Sequence, residues 1–250
     1  VEVKIDPKTG TLIRDGVPSI INHDDKTGIE AALQLKEQLG GTVTVVSMGP
    51  PQADVALREA LAMGCDEAYL VSAREFGGSD TYATSGIIAA ALKKIGYDLI
   101  ITGRQAIDGD TAQVGPQIAE KLHLPQVSYV EEVVEAAADH VVVKRQFEDG
   151  YHIIKIKTPC LLTAIAELAT PRYMSVRGIV EAYEKEIKVL GFEDLKDGLE
   201  LDMIGLKGSP TNVYQSFTKE VKGAGTILEG LSADEAVKAI MDKLEAKFII

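Results

Sequence analysis

The sequence predicts an α/β protein with a mostly parallel sheet and helices on both of its faces. The first observation is that short β-branched or apolar runs, such as 42–47 and 98–101, alternate with longer segments whose apolar residues recur at helical spacing. The second is that the turns between them are short and rich in Gly, Pro and Asp. Repeated β–α units with short connections favour a parallel sheet that is covered by helices. A chain of 250 residues is also long enough to bury a substantial core.

Each element of this Rossmann-like, nucleotide-binding arrangement has its own signal. Residues 3–13 alternate around a Pro/Gly turn, which predicts a small hairpin or an extended surface ribbon. No earlier residues supply a first buried strand. The remaining pattern predicts helices at about 25–39, 52–63, 82–95 and 117–122, and strands at 42–47, 67–72 and 98–101.

The pattern changes after Leu124. Three β-rich segments with charged interruptions predict antiparallel strands added to the sheet, at 127–134, 141–145 and 153–156. An acidic helix is predicted at about 179–186, residues 197–231 contain few core residues, and 233–247 has one apolar face. We therefore predict an α/β nucleotide-binding domain at 1–190 and an extended arm with a C-terminal helix at 191–250. An arm and helix without a local core suggest a partner subunit.

Composition excludes several classes of function. The net charge of −12 argues against nucleic acid and anionic membrane as partners, and no apolar run approaches the roughly 20 residues of a membrane span. The two cysteines, Cys65 and Cys160, lie in unrelated contexts, which predicts a reducing, cytoplasmic location without a disulfide framework or a thiolate metal site. The four histidines show no metal-ligand spacing, and no GxSxG or GKS/GKT motif occurs. No catalytic residue is therefore assigned, and any chemistry is expected to be carried by a cofactor.

The most informative stretch is 102–116. It follows a predicted buried strand and leads into a helix, which is the geometry in which unpaired amides and a positive helix end receive a phosphate. Thr111 and Gln113 could add side-chain donors, while Gly109 and Gly115 would let the backbone approach a ligand closely. An equally good interpretation is a plain capped helix with Asp108 or Asp110 as its N-cap.

Other loops are expected at the same edge of the sheet. In parallel sheets ligands bind outside the carboxyl ends of the strands, where 47–51, 76–81 and 102–116 should all lie. The GxGxxG fingerprint is absent, so a standard dinucleotide site is disfavoured. Asn22 and Asp24 precede the first helix and either cap it or contact a nucleotide.

Five short stretches carry a resemblance to a known family. They are Ile21-Asn22-His23-Asp24-Asp25, 45–50, 103–110, Pro171-Arg172-Tyr173 and Lys207-Gly208-Ser209-Pro210. With them, the chain resembles the β subunit of an electron transfer flavoprotein over essentially its whole length. The family usually opens with a buried strand and a Lys-Gln-Val-Pro-like loop, which are missing before Val1. His23 stands where many relatives carry Pro.

The resemblance implies a heterodimer with an α subunit that carries its own FAD. The β subunit of simple electron carriers holds AMP, whereas an electron-bifurcating branch holds a second FAD that is reduced by NADH. The sequence of 109–116 resembles the bifurcating branch more closely. The resemblance therefore implies FAD that accepts hydride from NADH and passes electrons to a partner dehydrogenase and to a low-potential acceptor such as ferredoxin. A simple carrier with structural AMP and a non-redox nucleotide-binding α/β domain remain as alternatives.

Site residues follow from the loops and the resemblance together. The residues predicted to bind the cofactor are Asn22, Asp24, Ser47, Met48, Gly49, Asp80, Thr81, Thr84, Gly103, Arg104, Gln105, Asp108, Gly109, Asp110, Thr111, Ala112, Gln113, Val114 and Gly115. Thr81 and Thr84 either face the flavin ring or belong to a plain capping arrangement. Arg104 either tunes the ring or pairs with Asp108 as a brace. Arg172, Tyr173 and Val176 are predicted to meet the partner dehydrogenase, with Val176 at the exposed apolar position of the recognition loop. No metal ligand is predicted.

Overall fold

A computed structural model describes residues 4–5, 12–13, 19–107, 109–211 and 223–250. The chain divides into two compact units, Val1–Tyr214 and Gln215–Ile250, which are described separately. The strands are β1 (Lys4–Ile5), β2 (Leu12–Ile13), β3 (Thr44–Met48), β4 (Glu67–Val71), β5 (Leu99–Gly103), β6 (Gln126–Ala136), β7 (His140–Phe147), β8 (Gly150–Lys157), β9 (Cys160–Ala164) and β10 (Ile187–Leu190). The helices are α1 (His23–Leu39), α2 (Asp54–Met63), α3 (Thr81–Ile95), α4 (Val114–Leu122), α5 (Val176–Glu184), α6 (Phe192–Leu195) and α7 (Ala233–Glu245).

The predicted β–α alternation is confirmed, but the strands form two larger sheets rather than one. Three parallel strands are ordered β10-β4-β3, and five strands are ordered β5-β9-β6-β7-β8. Within the described ranges no ladder joins β3 to β5, although α3 packs against both sheets: Val46 and Ile88 border the core clusters of each. The short strands β1 and β2 pair antiparallel, as the predicted hairpin requires.

The second sheet combines parallel and antiparallel pairing. β5, β9 and the start of β6 run parallel. β7 pairs antiparallel with β6 and β8 pairs antiparallel with β7, so the predicted antiparallel additions are confirmed. One register row joins Gly103, Ala164 and Val130 at the end of the parallel ladder. The β6–β9 register shifts between Val127 and Val130, which marks a bulge next to this row.

Helices cover both faces of the first sheet. Successive side chains of a strand point to opposite faces, so each strand contributes to the packing on both sides. Ala68 and Leu70 of β4 pack in the cluster that contains α2 and α5, while Val71 packs with α3 and α6. In the second sheet, Ile100 and Leu161 meet α3 and α4. The cysteine thiols are part of this packing, and burial raises the pKa of Cys65 to about 12 and that of Cys160 to about 11.

The boundary between domain and arm differs from the prediction. The unit boundary follows Tyr214, whereas the sequence predicted the arm to begin at 191. Residues 191–211 pack on the α/β unit, where Leu195 and Ile204 are 3% and 2% exposed and join the α3 cluster. Backbone and hydroxyl hydrogen bonds attach this stretch in addition to its apolar packing.

The second unit contains α7, which begins with a reciprocal capping box between Ser232 and Glu235. The apolar side chains of Val237, Ile240 and Met241 on this helix are exposed in the chain. Of the helices in the described ranges, none is both long enough and apolar enough to cross a bilayer. The predicted role of this unit on a partner subunit stays a prediction.

Candidate nucleotide site

The starts of α3 and α4 meet at one edge of the α/β unit. α3 follows the carboxyl end of β4, and α4 follows the carboxyl end of β5. The hydroxyl of Thr81 donates to Oε1 of Gln113 at 2.9 Å, which joins the first residue of α3 to the cap position of α4. Two helix N-termini, each a concentration of amides and partial positive charge, are thereby placed side by side.

The start of α4 carries no side-chain cap from any residue in the described ranges, and we call it the open start. The helix begins at Val114, three residues before the predicted position, because Pro116 in the first turn needs no N–H partner there. Asp110 is therefore not its N-cap, as one interpretation held. Its amide donates to the carbonyl of Ala106 at 2.8 Å, and its carboxylate accepts from Gln105. Asp108 lies outside the described residues.

The loop before the open start is held in an unusual backbone conformation. Asp110 and Ala112 have φ angles of 55° and 54°, in the left-handed region that side chains other than glycine seldom adopt. Thr111, which lies between these two residues, and Gly109, which precedes them, are exposed. Such strain at a loop over a helix start is common where a ligand is bound.

Gly115 has a packing role in the structure. A Cβ at this position would lie 2.7 Å from Oγ1 of Thr102 and 2.9 Å from Cγ2 of Thr163. The first turn of α4 therefore approaches β5 and β9 too closely for any side chain. Only glycine allows this approach, which brings the open start down to the strand ends.

The start of α3 is capped by Asp80. Its Oδ1 accepts the amide of Ala83 at 3.0 Å, and its Oδ2 accepts from the backbone N–H and the hydroxyl of Thr211 at 3.0 and 2.8 Å. Burial alone would raise the pKa of Asp80. The hydrogen bonds together lower the pKa by more than burial raises it, so that it lies below the ordinary value of 3.8. Asp80 therefore stays a carboxylate that offsets the positive end of α3. The predicted contact of Thr84 with a ring stays a prediction.

The start of α1 is tied to the β5 loop. Nδ2 of Asn22 donates to Asp25 Oδ2 and to the carbonyl of Gln105, both at 2.8 Å, and Asp25 Oδ1 accepts the amide of Gly103 at 2.6 Å. Asn22 makes no side-chain cap to its own helix within the described chain. Burial raises the pKa of Asp25 despite these hydrogen bonds. Asn22 thus braces the loop.

Two buried polar atoms at this edge lack a hydrogen-bond partner among the described residues, Oγ1 of Thr102 and Nε of Arg104. Nε of Arg104 lies 3.5 Å from Oδ2 of Asp24, close enough for ion pairing. Asp24 is thus the carboxylate observed beside Arg104, and the suggested brace to Asp108, which lies outside the described residues, stays a prediction. A guanidinium group beside the amides of an open helix start is a donor set that a phosphate-bearing nucleotide uses, so the residues fit such a ligand.

The third predicted loop, 47–51, follows β3, the neighbour of β4 in the three-stranded sheet. Ser47 and Met48 end β3, paired with Leu70 and Val71, and the amide of Gly49 donates to the carbonyl of Val71 at 3.1 Å. A Cβ at Gly49 would approach that of Ala53 to 3.3 Å, which explains the glycine by packing. Their predicted contact with a nucleotide stays a prediction.

Tyr129 was missed by the sequence analysis. It has a φ of 59° at the bulge of β6, and its amide is held by Oγ1 of Thr163 at 3.1 Å. The guanidinium of Arg104 lies 6.0 Å from the centre of its ring. No sequence signal marks a tyrosine in the left-handed region, because the bulge arises only when β6 pairs with β9.

The predicted partner surface divides into an anchor and an exposed part. Arg172 donates from Nε and Nη2 to both carboxylate oxygens of Glu30 at 2.7 and 3.0 Å, and from Nη1 to Glu37 at 2.6 Å. It therefore holds its loop on α1. Tyr173 and Val176 beside it are 99% and 81% exposed. Within the described ranges no cluster of His, Cys, Asp or Glu could hold a metal ion.

The chain is thus an α/β protein in which two helix starts meet at one edge. The family model of the electron transfer flavoprotein domain matches residues 9–195, and the chain belongs to that family. Proteins of the family are associated with flavin or AMP, and its β subunits pair with α subunits.

Relatives cover the chain from end to end. The electron transfer flavoprotein subunit beta of Thermoanaerobacterium thermosaccharolyticum is 55% identical over 250 residues, which span 100% of this chain and 95% of the relative. The caffeyl-CoA reductase-Etf complex subunit CarD of Acetobacterium woodii is 53% identical over 251 residues with the same coverage. The acryloyl-CoA reductase electron transfer subunit gamma of Anaerotignum propionicum is 54% identical over 255 residues, covering 100% and 94%.

Proposed function

We propose that this chain is the β subunit of a heterodimeric electron transfer flavoprotein and that its site holds FAD. The observation that carries the proposal is the open start of α4 beside the capped start of α3. The amides of an open helix start bind an anionic pyrophosphate. At α3, Asp80 already neutralises the helix end, so hydroxyls such as those of Thr81 and Thr84 are left to contact an uncharged ring.

FAD bound at this edge would supply hydride acceptance from NADH and single-electron delivery to two acceptors, a partner dehydrogenase and a low-potential acceptor such as ferredoxin. The residues of the chain would bind and orient it. The first turn of α4 would hold the pyrophosphate, Asn22 and Asp25 would keep the loop closed over it, and Arg104 would add positive charge at the edge.

Two observations support FAD and a reductase partner over AMP in a simple carrier. The segment Gly109–Pro116 resembles the bifurcating branch. In addition, the names of two relatives place them in a caffeyl-CoA reductase complex and with an acryloyl-CoA reductase. A non-redox nucleotide-binding domain is less well supported, because the family model covers the α/β unit.

The test is nucleotide extraction from the heterodimer of this chain with its α subunit, followed by chromatography and mass spectrometry. We expect two FAD per heterodimer and NADH-dependent reduction of ferredoxin when the partner dehydrogenase and its substrate are present. One FAD and one AMP per heterodimer would instead show a simple electron carrier.

A second test addresses the partner surface. Val176→Ala removes an exposed apolar side chain that could anchor a dehydrogenase. We expect slower electron transfer to the dehydrogenase with unchanged flavin content. Val55→Ala on α2 is the matched control, since Val55 is 60% exposed. Equal loss of flavin and of coupling in Val176→Ala would show that the loop only maintains the fold.

A further inference from the structure

Residues 205–211, which we call the clasp, lie on the start of α3. The amide of Gly205 donates to Oγ of Ser79 at 3.0 Å, and the amide of Leu206 donates to the carbonyl of Gly77 at 3.2 Å. Gly78, with a φ of 75°, is so close to Leu206 that an added Cβ would meet it at 3.1 Å. The clasp is therefore seated closely against the loop that precedes α3.

Ser209 and Thr211 of the clasp bind the cap residue itself. Oγ of Ser209, a buried residue, accepts the amide of Asp80 at 2.8 Å and donates to the carbonyl of Gly205 at 2.7 Å. Thr211 donates twice to Oδ2 of Asp80. One carboxylate oxygen thus serves the helix and the other serves the clasp.

These contacts reach the nucleotide site through one residue. Asp80 fixes the first turn of α3, and the next residue, Thr81, donates to Gln113 at the open start of α4. A change in the clasp would therefore move the α3 start relative to the α4 start, although neither Ser209 nor Thr211 belongs to the loops around the open start.

We propose that Ser209 and Thr211 are positioning residues for the bound nucleotide, acting through Asp80 on the first turn of α3. This inference rests on the proposed function, because it takes the nucleotide to lie between the two helix starts. The residues do not touch the ligand. They hold the geometry in which the hydroxyl of Thr81 and the amides of α4 face the same molecule.

The test uses the heterodimer after removal of its nucleotide, with FAD affinity measured by quenching of flavin fluorescence. Thr211→Val deletes the hydroxyl that donates to Asp80, and we expect the dissociation constant for FAD to rise about tenfold, or 1.4 kcal/mol. Thr211→Ser should restore it to within about twofold. Thr158→Val is the matched control: it deletes a hydroxyl that donates at 3.2 Å to a backbone carbonyl elsewhere, and it should bind FAD like the wild type.

A double-mutant cycle separates positioning from general destabilisation. If Thr211 acts through Asp80, the loss caused by Thr211→Val should largely disappear in an Asp80→Ala background. Additive losses, or wild-type FAD affinity in Thr211→Val, would overturn the inference. A wild-type heterodimer that binds AMP but not FAD would contradict the proposed function alone, and the same cycle measured with AMP would then decide the role of the clasp.

Discussion

Helix α3 begins under a carboxylate, whereas helix α4 begins without one, and the two starts lie in direct contact. Asp80 gives its oxygens to the first turn of α3 and to the clasp. At α4 the corresponding residue, Gln113, turns its side-chain oxygen to Thr81 instead. The two helix starts therefore differ in charge. Under the proposed function, the anionic part of the nucleotide would lie at α4 and the ring at α3.

The largest effect is expected from a substitution that prevents the close packing of α4 on β5 and β9. Gly115→Val places a side chain against Thr102 and Thr163, and such overpacking typically costs about 1–3 kcal/mol of unfolding free energy. We expect the free energy of unfolding, measured by urea denaturation, to fall by an amount at the upper end of this range. Bound nucleotide, measured by extraction, should be lost as well. Gly109→Ala is the control for stability, since an added Cβ there meets no described atom within 4 Å. Equal effects of the two changes would show that the packing of Gly115 is unimportant.

Removing each cap residue should separate the two starts. Asp80→Ala deletes an N-cap carboxylate that accepts several hydrogen bonds, and it should lower the free energy of unfolding by about 1–2 kcal/mol. Gln113→Ala deletes no capping hydrogen bond within the described chain, so the free energy of unfolding should change by less than about 0.5 kcal/mol. Thermal denaturation of both variants measures this comparison. A loss of similar size for Gln113→Ala would mean that α4 is capped after all.

Adding a cap to α4 should change stability and binding in opposite directions. Gln113→Asp supplies the missing acceptor, so the free energy of unfolding should rise by about 0.5–1 kcal/mol. Its carboxylate would repel phosphate, so nucleotide affinity should fall. Gln113→Ser caps without charge and is the control for charge. If Gln113→Asp binds nucleotide as tightly as the wild type, the anion does not lie at α4.

The smallest effect concerns acid stability. The pKa of Asp80 in the folded chain lies below its ordinary 3.8, so its contribution to stability is fully present above pH 3.8 and is lost as the pH falls through the folded value. Asp80→Asn should therefore flatten the loss of stability below about pH 4. Denaturation midpoints between pH 2 and 6 measure this slope. An unchanged slope would show that Asp80 does not contribute to it.

The sequence predicted the elements of the fold because periodicity and turn residues are local signals. It placed the start of α4 three residues late, since Pro116 reads as a helix breaker although it is tolerated in a first turn. It assigned 197–211 to an arm, because a stretch held by Ser209, Thr211 and backbone amides has no apolar pattern. From its sequence, the α4 loop was predicted to bind a nucleotide, and that contact stays a prediction. The attachment of Asp80 to the clasp was not predicted, because Ser209 and Thr211 lie 129 and 131 positions away from it in sequence.

The most direct test of the difference between the two helix starts is a crystal structure of the heterodimer with its nucleotide bound, in which phosphorus atoms are located in the density. We predict phosphate oxygens within about 3 Å of the first-turn amides of α4, at Val114 and Gly115. Phosphates seated at the first turn of α3, or away from both helix starts, would contradict this assignment.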